Sequence, residues 1–303
     1  MATLNTSMLS LPGTSLGIVT DAAIDAGLLP KLVASKPTLF GPVTGATFTG
    51  TAKAQIVGES EKKNATGDFS LTPFRAEPVK AQVTVRLSDE FKWADEDYQL
   101  GMINDFVAPK LGEAMGRFVD LFVFHGVNPA SGTVSAKATK YLSQATKVVE
   151  AAGAPTNELN EAVGLVVNAG TAMPNGIAFD AAYNYQLASE VYPAGHSLAG
   201  QPIYPNMGFG GMDNFRGLRS ANSSTVSGRP ELADTKIRAI VGDYNEVKWG
   251  YQKQIPLHMI EYGDPDQTGR DLQAHNELAL RAEVVIYAAI GDLDKFALVK
   301  DAA

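Results

Sequence analysis

The side chains of this sequence offer few arrangements that could carry out chemistry. The segment GTSLG at 13–17 matches the G-x-S-x-G pattern of a nucleophile turn, in which Ser15 would attack an ester or amide carbonyl. Such a turn joins a strand to a helix and needs earlier strands of its sheet. Only twelve residues precede the motif, and Pro12 is one of them. We therefore interpret these residues as part of an arm and predict no catalytic residue.

Metal coordination is the second chemistry to consider. DPDQTG at 264–269 resembles the start of a calcium loop, but the twelfth position, where that loop needs a bidentate glutamate, is His275. None of the four histidines forms a pair with the spacing of a metal-binding helix, and no phosphate-binding glycine loop occurs. We predict a polar turn at 264–269, no metal, no cofactor and no enzymatic activity.

The composition narrows the remaining functions. The 303 residues carry a formal net charge of −8. Because affinity for nucleic acid comes mainly from lysine and arginine side chains that neutralise phosphates, the chain is a poor candidate for a nucleic-acid-binding protein. The chain has no cysteine, so it forms no disulfides and has no thiolate nucleophile. No apolar stretch approaches the roughly 18 residues of a membrane span, and the first residues do not resemble a signal peptide. These features favour a structural protein without a membrane partner.

A long hairpin is predicted at 46–88. Strand-like residues at 45–57 and an alternating strand at 78–88 flank the charged segment GESEKKNATGDF at 58–69. A two-stranded ribbon is marginally stable at best in water, so this hairpin must be stabilised by contacts with residues outside it.

The strongest helical pattern lies at about 95–125. Its apolar stripe has helical spacing and consists of Ile103, Val107, Leu111, Met115, Phe118 and Phe122. Acidic residues at its start suit the positive end of the helix dipole, Gly126 is placed to end it, and Pro109 predicts a bend. The helix would span about 40 Å, which is long for a compact domain.

Shorter elements surround these two features. The proline-rich segment 1–45 resembles an extended arm without a core, with a short helix at 21–33 that ends near Pro30. A helix with Thr156 as its N-cap and a short helix capped by Asp180 are predicted in the middle of the chain. Strands are predicted at 176–180, 236–243, 246–251, 255–263 and 276–290, the segment DKFALVK at 294–300 follows them, and 191–235 is rich in loops. This order predicts an α+β fold.

The order of these elements resembles the major capsid proteins of tailed bacteriophages, which have the Hong Kong 97-like fold. IRAIVGDYNEVKWGYQKQIPLHMIEYG resembles that family's glycine-aspartate strand pair, and LQAHNELALRAEVVIYAAIGDLDKFALV resembles its terminal strand. The resemblance implies a virion protein that self-assembles, as pentamers and hexamers, into an icosahedral head shell in the host cytoplasm. The shell would enclose double-stranded DNA without binding a specific sequence, and the hairpin would lie across a neighbouring subunit.

The resemblance also implies a division of the chain. Residues 1–45 would be the N-terminal arm, 46–88 the extended loop, 89–165 with 262–303 the peripheral domain around the long spine helix, and 166–261 the axial domain. Some members of the family crosslink a hairpin lysine to an asparagine with the help of a glutamate. The matching positions in this sequence are Lys62, Lys63, Asn276 and Glu283.

Two further expectations complete the prediction. Only about 45 residues precede the hairpin, whereas some members carry a long scaffolding segment there, so we expect a separate scaffolding protein or none, together with a portal. The alternatives are an encapsulin-type compartment shell, which shares the fold and encloses an enzyme cargo, and a soluble α+β serine hydrolase that uses Ser15.

Overall fold

The computed structural model describes residues 27–49, 54–63, 70–170 and 172–302. Two β-sheets and a long helix organise this part of the chain. The three-stranded sheet has the order β11–β12–β3 and is antiparallel throughout; its strands are β3 (Val79–Ser88), β11 (Val247–Ile260) and β12 (Glu277–Ile290). The largest hydrophobic cluster of the described residues, which we call the main core, contains Leu278, Leu280, Ala282, Val284 and Ile286. The predicted alternation of β12 is therefore confirmed.

The second sheet has six strands in the order β6–β13–β10–β7–β9–β8. They are β6 (Lys147–Ala151), β7 (Gly176–Phe179), β8 (Asn214–Phe215), β9 (Leu218–Asn222), β10 (Ile237–Gly242) and β13 (Phe296–Asp301). The pairs β13–β6 and β7–β9 are parallel and the other pairs antiparallel. A mixed α+β fold is therefore confirmed.

The predicted long helix is continuous in the structure. It consists of α2 (Glu96–Met102), a π-helical turn (Ile103–Val107) and α3 (Ala108–His125), and we call it the long helix. All six residues of the predicted stripe are buried. The π-helical turn ends two residues before Pro109, which has no N–H to donate to the preceding turn of the helix. Gly126 ends the helix with φ 69°, and its N–H donates to the Phe122 carbonyl.

Residues 28–33 differ from the predicted arm without a core. Leu28, Leu29 and Leu32 are almost completely buried in the main core, and the short helix α1 (Leu29–Leu32) contains Pro30 in its first turn instead of ending there. Proline is well tolerated at that position because the first N–H groups of a helix have no partner within the helix. The earlier part of the predicted helix lies outside the described residues.

The strand pairing of the predicted hairpin is wrong. The antiparallel partner of β1 (Val43–Thr49) is β2 (Ser70–Ala76), not the alternating strand at 78–88. That alternating strand is β3, which pairs with β12. The physical reason is its apolar face, since Ala81, Val83, Val85 and Leu87 pack against the main core and a ribbon directed away from the body would leave them in water.

The middle of the chain confirms one predicted cap and corrects another. Helix α4 (Pro155–Asn168) begins one residue before Thr156, which donates a hydrogen bond to Glu190 and does not cap the helix. The carboxylate of Glu158 accepts the N–H groups of Ala152 and Ala154. Asp180 caps α5 (Ala181–Ala188) as predicted and accepts the Ala182 N–H. The small hairpin β4 (Val127–Asn128) and β5 (Thr133–Val134) follows the long helix.

Sheet membership departs from the predicted domain boundaries at three places. Strands β6 and β13 and most of helix α4 fall in the segments assigned to the peripheral domain, yet both strands belong to the six-stranded sheet that α4 covers. Strand β11 was assigned entirely to the axial domain but lies in the three-stranded sheet against β12. Chain order alone does not reveal these exchanges, because the chain crosses between the two sheets several times.

Candidate assembly surfaces

The first candidate surface is the two-stranded ribbon formed by β1, β2 and the described part of the segment between them, 54–63; we call these residues the ribbon. Its base is anchored on the body, where Ala76 packs with Tyr287 and Ala289. Gly45 lies opposite Phe74, whose ring covers it so closely that an added Cβ would approach the ring to 2.4 Å. These contacts therefore fix the base of the ribbon, and they set the direction in which the ribbon leaves the body of the subunit.

Beyond its base the ribbon has little apolar support from its own copy. Ile56 is 97% exposed and Leu71 54% exposed. The tip contains a tight turn in which the Glu61 carboxylate accepts the Gly58 N–H at 2.8 Å. Ile56 and Leu71 therefore give the ribbon apolar surface that the described part of its own copy does not cover.

The second candidate surface is a groove of about 620 Å³ between β3 and the long helix. The hairpin β4–β5 borders it. Its floor is apolar and consists of Val79, Ala81, Val83, Met115, Phe118, Phe122 and Val127. Its rim is polar, with Lys80, Gln82, Lys137 and Glu231, and Ala130 lies at its border. An apolar floor inside a charged rim is the arrangement that protein interfaces commonly show.

The structure does not bring the predicted crosslinking residues together within one copy. Lys62 and Lys63 are exposed on the ribbon. Glu283 lies in the middle of β12, where its carboxylate binds the Lys80 ammonium at 2.6 Å. Asn276 precedes the same strand and its carbonyl accepts the Asp89 N–H. An extended strand rises about 3.3 Å per residue, so Asn276 and Glu283 are roughly 20 Å apart.

The loop that resembled a calcium site is organised by a guanidinium group. Arg86 donates to Asp264 at 2.9 Å, to Thr268 at 2.9 Å and to the Arg270 carbonyl at 2.9 Å, and it also binds both carboxylate oxygens of Asp266. These hydrogen bonds raise the pKa of Arg86 and hold the pKa of Asp266 well below its usual range. The predicted polar turn at 264–269 is confirmed, and a side-chain cation lies at its centre.

Ser15, the serine of the G-x-S-x-G segment, lies outside the described residues. His125 is buried at the end of α3, and its Nε2 lies 3.0 Å from the Thr225 carbonyl and 3.1 Å from that of Val226. Burial lowers the pKa of His125. Among residues 27–302, apart from the undescribed positions, no cluster of His, Asp and Glu could hold a metal ion and no helix could cross a membrane.

Sequence analysis missed a pair of exposed aromatic side chains near the start of the long helix. Trp93 is 78% exposed and Tyr262 is 69% exposed. An ion pair between the neighbouring residues Lys92 and Glu261, 3.3 Å long, brings their two segments together. The available signal was one or two aromatic residues in each of two charged stretches, FKWADED and MIEYGDPD. Such isolated aromatics cannot be assigned to core or surface until the fold is known.

Comparison with solved structures gave extensive matches. A protein of Mycobacterium phage Ogopogo is 38% identical, with a TM-score of 0.78 over 91% of this chain and 92% of that one. A protein of Gordonia phage Cozz is 28% identical, with a TM-score of 0.73 over 91% and 87% of the two chains. A chain from the capsid of a native GTA particle with C5 symmetry shares the fold at 14% identity, with a TM-score of 0.57 over 99% and 98%.

The other two comparisons gave no match. No protein-family model matches the sequence, and no curated protein matches it either.

Proposed function

This chain belongs to the major capsid proteins of tailed bacteriophages with the Hong Kong 97-like fold, and we propose that it self-assembles into the icosahedral head shell that encloses a double-stranded DNA genome. The shell would consist of pentamers and hexamers of this chain. The GTA capsid chain, which shares the fold, was solved with C5 symmetry, and this supports a ring of five copies as one of the building units.

The observation that carries the proposal is the ribbon. A two-stranded ribbon is only marginally stable by itself, and this ribbon leaves Ile56 97% exposed. Contact with a neighbouring subunit would bury that side chain and stabilise the ribbon. The ribbon therefore corresponds to the extended loop of the family, with its base on β12 and its tip on the next copy. Residues 46–76 belong to this loop, and β3 belongs to the body.

We assign the groove between β3 and the long helix as the surface that binds the ribbon of a neighbouring copy. Because the chain has no cysteine, the pairing can be tested with an engineered disulfide. The double variant Ile56→Cys, Ala130→Cys should form disulfide-linked multimers in assembled particles under mild oxidation, whereas the two single variants should not form a ladder. If Gln55→Cys with Ala130→Cys links equally well, the contact is not specific to the Ile56 side chain.

The two sheets define the domains of the proposed subunit. The peripheral domain contains the long helix and the three-stranded sheet. The axial domain contains the six-stranded sheet with α4 and α5, so both β6 and β13 lie in it. This assignment keeps a predicted arm, loop, spine helix and two domains, and it shifts the predicted boundaries at 88, 89, 165, 166, 261 and 262.

The negative net charge of the chain is in keeping with a shell that encloses DNA. A formal net charge of −8 gives little electrostatic affinity for phosphates, which lets a packed genome move against the wall. The phage origin of the 38%-identical relative favours a genome over the enzyme cargo of an encapsulin-type shell. A separate scaffolding protein and a portal are the further partners of this proposal. Expression with and without the candidate scaffolding protein would show whether the chain assembles alone.

Crosslinking is a separate part of the proposal. The Nζ atom of Lys62 or Lys63 would form an amide bond with the side-chain carbonyl carbon of Asn276 in another copy. Because Asn276 and Glu283 are far apart in one copy, the Glu283 carboxylate would come from a different copy than Asn276; it would accept a proton from the lysine ammonium, and ammonia would leave. Glu283 would first have to release Lys80, to which it is bound. Denaturing electrophoresis of purified particles tests this step, since a single monomer band would remove crosslinking and leave the shell proposal intact.

Electron microscopy of the expressed chain tests the function itself. Icosahedral or tubular assemblies at micromolar concentration are the expected result. A chain that stays monomeric in size-exclusion chromatography, even with its scaffolding protein present, would contradict the proposed function.

A further inference from the structure

A small pocket of about 170 Å³ lies where α1, β9 and β11 meet, and Lys36, Arg219 and Lys248 line it with positive charge. Among the described residues, no aspartate or glutamate lines this pocket, and none of the three cations forms an ion pair. The guanidinium groups of Arg86 and Arg117, by contrast, are bound by carboxylates. In a chain whose acidic residues outnumber its basic ones, three cations without acidic partners form an unusual group.

The segment that carries Lys36 is fixed at its start by a buried carboxylate. Asp120 on the long helix is 1% exposed, and it accepts the Leu28 N–H at 2.8 Å and the Leu29 N–H at 2.9 Å. These amides begin α1, where the N-cap residue Leu28 has no side-chain cap of its own. Helix α1, whose Leu32 lines the pocket, is therefore held on the body of the subunit.

The backbone of Lys36 is fixed on both sides of its Cα. Its N–H donates to the Trp249 carbonyl at 2.9 Å, and its carbonyl accepts the Tyr287 hydroxyl at 2.9 Å. Gly250 leaves room for this close approach, because an added Cβ would lie 2.1 Å from the Lys36 carbonyl oxygen. These contacts use only the main chain of Lys36, which is an exposed residue, so the ammonium remains accessible to a ligand.

The other two cations belong to paired strands and keep hydrogen-bond donors in reserve. Arg219 on β9 donates from Nη1 to the Leu32 carbonyl at 3.2 Å. Lys248 on β11 donates from Nζ to the Asn245 carbonyl at 2.7 Å. A guanidinium has five N–H donors and an ammonium has three, so most donors of both groups remain beyond these bonds.

The carboxylates nearest to Lys248 in the sequence are bound outside the pocket. Asp243 accepts the side-chain amide of Asn175 at 2.7 Å and the Asn245 N–H at 3.1 Å. Glu246 binds the Lys295 ammonium at 2.6 Å. Both carboxylates therefore have other partners, and the positive charge of the pocket stays available.

We propose that Lys36, Arg219 and Lys248 form a phosphate-binding site. A phosphate group is an anion with several acceptor oxygens, and guanidinium and ammonium groups are the side chains that bind it in proteins. The buried indole of Trp249 lines the same pocket and excludes water from one side of it. A lower local dielectric strengthens the attraction between these cations and an anion.

The phosphate has two possible sources, the backbone of duplex DNA and free phosphate. The DNA source rests on the proposed function, whereas phosphate binding itself does not. The net charge of −8 does not prevent a local contact, because exposed charges more than about 8 Å away are largely screened at physiological ionic strength. Three contacts give weak, salt-dependent binding, in keeping with a genome that moves against the wall.

Lysine acetylation of the unassembled full-length chain, followed by mass spectrometry, tests the site without a substitution. The probes are inorganic phosphate and a short duplex DNA of mixed sequence, each compared with sodium chloride at equal ionic strength. Lys36 and Lys248 should reach half protection at the same probe concentration, and tenfold more probe should slow their acetylation by about tenfold. Lys62 and Lys63, which are exposed on the ribbon, should react at an unchanged rate.

The two probes distinguish the sources. Protection by the duplex supports DNA as the source of the phosphate, and protection by inorganic phosphate alone supports free phosphate. If neither probe protects Lys36 and Lys248 more than Lys62 and Lys63, the proposal is wrong.

If the duplex protects, the salt dependence of its binding counts the phosphate contacts. The triple variant Lys36→Gln, Arg219→Gln, Lys248→Gln should lose about 2.7 from the slope of log affinity against log salt, which is about a fortyfold difference over a fourfold change in salt. The control Lys62→Gln, Lys63→Gln, Lys300→Gln removes the same charge from exposed positions and should keep the slope. An equal loss in the control would overturn the proposal.

Both measurements use the unassembled chain, so a failure of this site would leave the proposed shell standing, and a failure to assemble would leave the phosphate site standing.

Discussion

Replacement of Ile56 by aspartate should impair assembly and leave the subunit folded. Ile56 is 97% exposed on the ribbon, so its side chain contributes almost nothing to the stability of an isolated copy. If a neighbouring copy buries it, assembly gains about 2 kcal/mol of apolar burial per subunit. Loss of that burial corresponds to about a thirtyfold rise in the critical concentration for assembly. Desolvation of the new carboxylate would increase the effect further.

Light scattering against subunit concentration measures that critical concentration directly. A graded series makes the assay quantitative, since Ile56→Val removes one methylene and should raise the critical concentration by only about fourfold. Gln55→Asp, at the adjacent exposed position, is the matched control for the added charge. If Ile56→Asp assembles at the concentration of the unmodified chain, the ribbon tip is not covered in the shell and the reasoning from exposure is wrong.

Three further predictions concern the subunit alone. Gly126→Ala should lower the free energy of unfolding in denaturant titrations by at least about 1 kcal/mol, because φ is 69° and the new Cβ would lie 2.4 Å from the Tyr141 ring, whereas Gly101→Ala in an open helical position should not lower it. Arg86→Lys should speed hydrogen exchange at 264–270, since one ammonium cannot replace a guanidinium with five acceptors; unchanged exchange would contradict this. The urea midpoint of Asp120→Asn should fall more steeply than that of the unmodified chain as the pH drops below about 6, because burial raises the pKa of Asp120 to about 6 and its protonation favours the folded state; equal slopes in the two chains would be evidence against it.

The elements whose apolar residues recur with one period in a continuous stretch of the chain could be predicted from the sequence. The stripe from Ile103 to Phe122 has a single period, and so does the alternation along β12, because each element buries one face against one core. The turn at 264–269 was recognised as polar, but Arg86, which organises it, is about 180 positions away along the chain. No local pattern indicates that guanidinium.

Sequence patterns did not predict which strands pair, nor which side chain binds the amides of Leu28 and Leu29. The alternating strand β3 appeared to be half of the hairpin, yet its apolar face required a core, and the less regular segment Ser70–Ala76 forms the ribbon. Asp120 gave no signal either, since one acidic residue on an amphipathic helix is ordinarily exposed. Its role depends on Leu28 and Leu29, which approach it from 91 and 92 positions away.

The error in the hairpin explains why the ribbon is suited to assembly. A strand with a clean apolar alternation buries that face within its own copy, as β3 does against the main core. A strand with Pro73 and scattered apolar residues cannot form such a face, so it satisfies its backbone in a ribbon and leaves Leu71 more than half exposed. Because the weak pattern prevents burial within one copy, this side chain remains available to a second one. Stronger alternation at 70–76 should therefore favour packing on the subunit's own body and reduce assembly.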